Sequence, residues 1–228
     1  LNALLIAGTD TDAGKTVLTT ALAAYWRRYC PSRPLGILKP VQSGVGDREH
    51  YSRLFALRQE EVTPLYFQAP LAPPLAADRE NRRIEMEKAW QAFESLRQQR
   101  EFVLVESLGG LGSPVTHETT VADLAWDWRL PAVLVVPVKL GAIGQSVANV
   151  ALARMSRVHL KGIVLNCAQA CTPQQIDDWA PASLIASLTG IPVLGLLPHL
   201  TDPTDLNRLA QVAAELDLER LLPLASVF

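Results

Sequence analysis

Three cysteines in 228 residues are too few, and odd in number, for a disulfide framework. Cys167 and Cys171 stand four apart with no second Cys or His pair nearby, so they read as structural thiols and not as a metal site. No apolar run approaches the ~18 residues that a membrane span needs. No basic segment leads into an apolar one at the N-terminus, so no export signal is expected and the cytoplasm is the default location. Charge of one sign is lacking too: 21 basic against 23 acidic residues, a net of −2, gives no electrostatic footprint for nucleic acid. The basic trio Arg79, Arg82 and Arg83 reads as a solvated face. Repeats, low-complexity tracts and linkers are also missing, so the chain reads as a single domain, 1–228.

What is present is a large apolar content, 49% hydrophobic residues, distributed as short strand-like runs. The first, Leu4 to Ala7, feeds Gly8-Thr9-Asp10-Thr11-Asp12-Ala13-Gly14-Lys15-Thr16. A helix-forming segment, Val17 to Tyr29, follows. Strand, glycine-containing turn and helix N-terminus together suit a polyphosphate, because backbone N–H groups and the positive end of the helix dipole point at one place. Lys15 would reach the β- and γ-phosphates and the Thr16 hydroxyl would ligate Mg²⁺. The first glycine lies one residue earlier than in the usual spacing, with Thr9 in its place.

Leu35 to Leu38 is a second short strand, ended by Lys39-Pro40-Val41-Gln42-Ser43-Gly44. Ligands of open parallel sheets bind at strand carboxyl ends, so Lys39 stands near the phosphate loop if this strand neighbours the first. Residues 46–81 read as irregular and proline-rich, with only Arg48 to Leu57 helical. Asp47 is either the N-cap of that helix or a Mg²⁺ ligand. The segment Ala69 to Ala76 is expected to line or cover a site. Helical spacing marks Ile84 to Arg100, with Trp90 and Phe93 as core contacts.

Phe102 to Val105 is a buried strand followed at once by Glu106 and then by Gly109 and Gly110. That carboxylate position makes Glu106 a candidate Mg²⁺ ligand. Further strands are expected at Ala132 to Val136, Ile163 to Leu165 and Val193 to Leu197, alternating with helices near 119–127, 143–158, 173–189 (broken at Pro181) and 205–216. This alternation specifies an α/β fold, a mostly parallel sheet with helices on both faces; together with the phosphate loop at Gly8 to Thr16 it is expected to be a three-layer α/β/α arrangement similar to the P-loop NTPases. Lys15, Lys39, Glu106, Lys139, Asn166 and Pro198 all fall at or just past strand ends, so the chemistry gathers along one sheet edge.

Gly8 to Thr16, Lys39-Pro-Val-Gln-Ser-Gly44, Val105-Glu-x-x-Gly-Gly110, Val138-Lys-Leu-Gly-x-Ile143, Asn166 and Pro198-x-Leu200, taken in order, resemble the ATP-dependent dethiobiotin synthetases. The resemblance covers nearly the whole chain. It implies a ligase that forms dethiobiotin from 7,8-diaminononanoate (7,8-diaminopelargonic acid), CO₂ and ATP with Mg²⁺. By the same resemblance, Asp12, Ala13, Gly14, Lys15, Thr16 and Val17 hold the triphosphate, and Thr16, Asp47 and Glu106 bind the metal. Lys39 is catalytic, with Lys15 and Thr11 beside the reacting groups. Ser107, Leu108 and Gly109 close over the nucleotide; Asn166 with Cys167 takes the adenine, helped by Pro198, His199, Leu200 and Asp205. Ser43 contacts the diamine. Gly144 and Gln145 stand where the family often has Asn-His, and Ser107-Leu108 where it often has Gly-Ala. The substrate carboxylate is then expected to be gripped by backbone N–H groups, Gln145, Ser146 or Asn149 at a homodimer interface. No membrane or nucleic-acid partner is implied.

Two other readings share the sheet and the loop. A partitioning-type switch ATPase carries an early signature lysine where this chain has Asp10 and Thr11. A cobyrinic-acid-type amide ligase domain normally accompanies a glutaminase domain that this sequence does not contain.

Overall fold

The structure is a computed structural model and describes residues 2–224. In chain order its elements are β1 (Ala3–Gly8), α1 (Lys15–Tyr29), β2 (Leu35–Leu38), β3 (Val41–Ser43), α2 (Asp47–Phe55), α3 (Gln59–Val62), β4 (Leu65–Phe67), α4 (Pro73–Arg79), α5 (Met86–Gln99) and β5 (Phe102–Gly110). They continue with α6 (Val121–Asp127), β6 (Ala132–Pro137), α7 (Ala142–Met155), β7 (Leu160–Asn166), α8 (Pro173–Trp179), α9 (Ala182–Thr189), β8 (Val193–Leu197), α10 (Leu206–Ala213) and α11 (Leu218–Leu221).

Six strands form one parallel sheet in the order β2-β5-β1-β6-β7-β8. Strand alternation sorts the core into two layers. Leu4 and Ile6 of β1, Leu104 of β5, and Val133 and Val135 of β6 face α1 and the C-terminal helices. Leu5 and Ala7, Val105, and Leu134 and Val136 face the opposite layer, where α5, α6, α7 and α9 pack. Strands β1 and β6 are buried along their whole length, as expected of central parallel strands covered on both faces. Each fully buried Leu, Ile or Val contributes about 1.5–3 kcal/mol relative to exposure.

Two expectations are corrected. Residues 46–81 are not irregular: β3 and β4 pair in parallel, Val41 against Leu65 through Ser43 against Phe67, as a separate two-stranded sheet. Pro73 and Pro74, which suggested a loop, open α4 at its first turn, where the missing proline N–H is no loss because those donors have no partner inside the helix. Strand β5 also runs past Glu106 to Gly110, with Ile6 opposite Glu106, so this glutamate sits inside the strand. The period of two that sends Phe102 and Leu104 toward α1 therefore sends Glu106 there as well.

Candidate active site

The loop from Gly8 to Lys15 turns on Gly14, whose φ of 99° is left-handed. A Cβ there would lie 2.0 Å from the Asn166 side-chain nitrogen, so backbone angle and space both demand glycine. Asn166, at the end of β7 and buried, donates from Nδ2 to the Ala13 carbonyl at 3.0 Å and braces the loop from behind. Helix α1 starts with no side-chain cap and no acidic residue in its first turn. Its free N–H groups and dipole are thus left for an anion. Lys15 is folded across its own loop, donating to the carbonyls of Asp10 (2.9 Å) and Thr11 (3.0 Å). Burial lowers its pKa, against the pull of Glu106. Outside the loop, Lys139 Nζ pairs with Asp10 Oδ2 at 2.7 Å.

A second cluster faces the first turn of α1. Thr16 Oγ1 lies 3.0 Å from both Asp47 Oδ1 and Glu106 Oε1, and its single proton serves one or the other. Lys39 Nζ lies 2.9 Å from Glu106 Oε1 and also pairs with Asp47. Burial opposes the Lys39 ammonium, but the Glu106 and Asp47 carboxylates outweigh it and raise its pKa above the ordinary lysine value. Burial likewise opposes the Asp47 carboxylate, and the Lys39 charge and the hydrogen bond from Thr16 overcome it to lower its pKa. A hydroxyl and two carboxylates converging in this way form a hard-oxygen donor set, which suits Mg²⁺ shared with phosphate oxygens.

Lys39 arrives at this cluster by a route other than the expected one. Strand β2 does not neighbour β1; β5 lies between them, with Leu38 opposite Val105. Lys39, one residue past the end of β2, therefore meets Glu106, one residue past Val105, and Glu106 in turn touches Thr16. Asp47 is not an N-cap: Gly46 occupies that position and Asp47 is the first helical residue.

Both clusters open into one cavity of about 960 Å³. The expected residues Thr11, Asp12, Gly14, Lys15, Thr16, Val17, Lys39, Ser43 and Asp47 line it. Glu106, Leu108, Gly109, Asn166, Cys167, Pro198, His199 and Leu200 line it as well. The proline segment contributes Pro70 to Pro73. Ala13, Ser107, Asp205, Gly144 and Gln145 are not in the wall. Ala13 and Ser107 are buried behind it. Asp205 is spent on capping α10, accepting from the N–H groups of Asn207 and Arg208. Gly144 and Gln145 lie in the first turns of α7, outside the cavity.

Two polar residues of the site, Tyr51 and His50, carry no motif and were not anticipated, and Gln42, inside the Lys39–Gly44 motif, was assigned no role. Tyr51 is fully buried and its hydroxyl donates to Glu106 Oε2; burial first, then the Glu106 charge, raise its pKa well above the ordinary tyrosine value. His50 Nε2 is 3.1 Å from Thr20 Oγ1. Gln42 Oε1 accepts from the Arg48 N–H while Nε2 donates to Glu49. The i, i+3 and i+4 spacing of Asp47, His50 and Tyr51 was the available signal, since it stacks the three on one helix face.

The parallel sheet, the phosphate loop and the Thr16 cluster define a P-loop ATPase-type α/β protein. Solved structures share the fold: the MinC:MinD cell division protein complex of Aquifex aeolicus superposes with a TM-score of 0.59 at 14% identity, covering 97% of this chain and 96% of that one. A family model described as an AAA domain matches residues 2–206. The ATP-dependent dethiobiotin synthetase BioD of Gloeothece citriformis is 57% identical over 97% of this chain and 99% of its own length. That of Crocosphaera subtropica is 54% identical over 97% and 100%. The chain belongs to the ATP-dependent dethiobiotin synthetase family.

Proposed function

We infer that this chain closes the ureido ring of dethiobiotin from 7,8-diaminononanoate, CO₂ and ATP in the cytoplasm. The observation that carries the reading is the convergence of Lys39, Asp47 and Glu106 on the phosphate-loop Thr16 in a chain of this family. One amine takes up CO₂ as a carbamate, losing a proton. A carbamate oxygen attacks the γ-phosphorus and ADP leaves. The neighbouring amine attacks the carbon of the resulting carbamic–phosphoric anhydride, expels phosphate and closes the ring.

Each step develops negative charge, which fixed cations at close range stabilise. Lys15 exchanges the Asp10 and Thr11 carbonyls for the β- and γ-phosphates, and the backbone from Asp12 to Val17 cradles them. Lys39 serves the transferring phosphoryl group and the carbamate. Thr16, Asp47 and Glu106 hold Mg²⁺, which when bound offsets charge on the phosphate oxygens. Asn166 takes the adenine edge beside Cys167, with Pro198, His199 and Leu200 around it, and Leu108 and Gly109 enclose the reacting groups beside Thr11. Ser43 Oγ is buried without a partner at the cavity wall, which supports a hydrogen bond to the diamine. Because ring closure is intramolecular, holding the two amines in place removes much of the remaining barrier.

A homodimer completes the proposal. Gly144, Val147, Ala148, Ala151 and Met155 form an exposed small and apolar stripe on α7, and Gly144 and Gln145 reach a substrate only if a second copy carries them to a neighbouring cavity. The direct test supplies ATP and Mg²⁺ with the diamine, bicarbonate, both or neither. Phosphate release only with both, matched one to one by dethiobiotin in mass spectrometry, supports the reading. ATP turnover without the diamine and without product defeats it.

A further inference from the structure

Tyr51 is a fully buried polar side chain that no motif accounts for. It lies one helical turn after Asp47 on α2, and its hydroxyl donates to Glu106 Oε2. The two Glu106 oxygens are thereby given separate partners. Oε1 receives Thr16 Oγ1 at 3.0 Å and Lys39 Nζ at 2.9 Å, while Oε2 receives the phenol. The terminal torsion of a glutamate is broad and roughly two-fold, so a carboxylate with one free oxygen could rotate between arrangements. The phenol removes that freedom, and its own ring is held in the apolar layer between the sheet and α1. A phenol is also a neutral donor. It orients the carboxylate without cancelling its charge, which a second ammonium in that place would do.

We propose that Tyr51 is a positioning residue that fixes Glu106 to present a single oxygen to the divalent cation bound with ATP, and so sets the affinity for that cation. The proposal rests on the reading of Glu106 as a metal ligand under Proposed function. Partners that orient a metal-binding group are worth about 10- to 100-fold in metal affinity.

The test titrates Mg²⁺ against binding of a fluorescent ATP analogue, a readout independent of turnover, and measures kcat and the Mg²⁺ half-saturation of activity in parallel. Tyr51→Phe removes only the hydroxyl and keeps the ring; Tyr51→Met, which adapts to the same apolar space, replaces it if the first variant does not accumulate folded. The expected result is an Mg²⁺ half-saturation raised about tenfold or more, with kcat at saturating Mg²⁺ reduced less than about threefold, the split that separates binding from chemistry. Glu106→Gln raises the half-saturation as well, and the double variant behaves as Glu106→Gln alone, because without the carboxylate Tyr51 has nothing to orient. If Tyr51→Phe leaves the half-saturation at the wild-type value while Glu106→Gln raises it, the phenol is only packing, and this inference falls while the metal-ligand reading stands. If Glu106→Gln itself leaves it unchanged, both fall.

Discussion

Replacing Lys39 with methionine removes the one ammonium that pairs with both Asp47 and Glu106. The two acids do not respond alike. The Asp47 side chain is 31% exposed and regains water, whereas the Glu106 side chain is 0% exposed and does not. The loss therefore falls on Glu106, which keeps only the Thr16 and Tyr51 hydroxyls as donors. Stripping the partner from a buried charge costs about 3–5 kcal/mol. At the lower figure, and with roughly 2–4 °C per kcal/mol for a chain of this size, the thermal midpoint falls by about 6–12 °C. Scanning calorimetry of metal-free protein reads this directly. Addition of Mg²⁺ is expected to narrow the gap, since the proposed site would place a cation beside the same carboxylates, and Lys39→Met with Glu106→Gln is expected to melt higher than Lys39→Met alone. Dethiobiotin formation falls about a hundredfold or more even with Mg²⁺ present. A Lys39→Met midpoint within 1–2 °C of wild type without metal, on that same roughly 2–4 °C per kcal/mol scale, refutes the claim that Lys39 compensates Glu106.

Glu49 ties the start of α2 by accepting from the Gly46 N–H, from Arg48 and from Gln42. Burial opposes its carboxylate, and these donors together overcome it and lower its pKa from 4.5 to about 2. A lowered acid contributes stability above its unfolded pKa and loses it as pH falls toward the folded one. Glu49→Gln is thus expected to melt below wild type at pH 7, with the difference shrinking between pH 4.5 and about 2; an undiminished gap over that window counts against the assignment. Gly14→Ala places a Cβ against the Asn166 carboxamide and a side chain at φ 99°, and should abolish ATP binding in calorimetry. Asn166→Ala added to it relieves the clash but leaves the backbone strain and also removes the proposed adenine contact, so binding does not return; if it does, sterics alone govern this position. Substituting Ala148 by Glu on the exposed α7 stripe should convert a dimer to monomers in sedimentation and weaken diamine saturation, while a wild-type monomer with full activity disproves the shared site.

The sheet was legible because its central strands are short, nearly continuous apolar runs, the pattern of parallel strands buried on both faces. The phosphate loop was legible because glycine, lysine and threonine at a helix start have few other uses. Residues 46–81 misled because proline punctuates loops and also opens helices, and only the chain's path tells Pro73 at the start of α4 from a loop proline. The convergence of Lys39 with Glu106 depends on strand order, which local sequence does not carry: the two are 67 residues apart and meet because β2 pairs with β5 and not with β1. Tyr51 escaped notice for a related reason. A tyrosine on an amphipathic helix reads as core, and its hydroxyl gains meaning only when a carboxylate from another strand lies in reach.

The most direct test of the proposed chemistry follows oxygen. With bicarbonate and dissolved CO₂ labelled in oxygen-18, diamine and unlabelled ATP, the carbamate oxygen that attacks the γ-phosphorus stays with phosphate when the second amine closes the ring. One labelled oxygen is expected in the released phosphate and one in the ureido carbonyl of dethiobiotin, by mass spectrometry of both products. Phosphate carrying oxygen only from ATP and water would contradict the carbamic–phosphoric anhydride, and with it the roles of Lys39 and the Thr16 cluster in phosphoryl transfer.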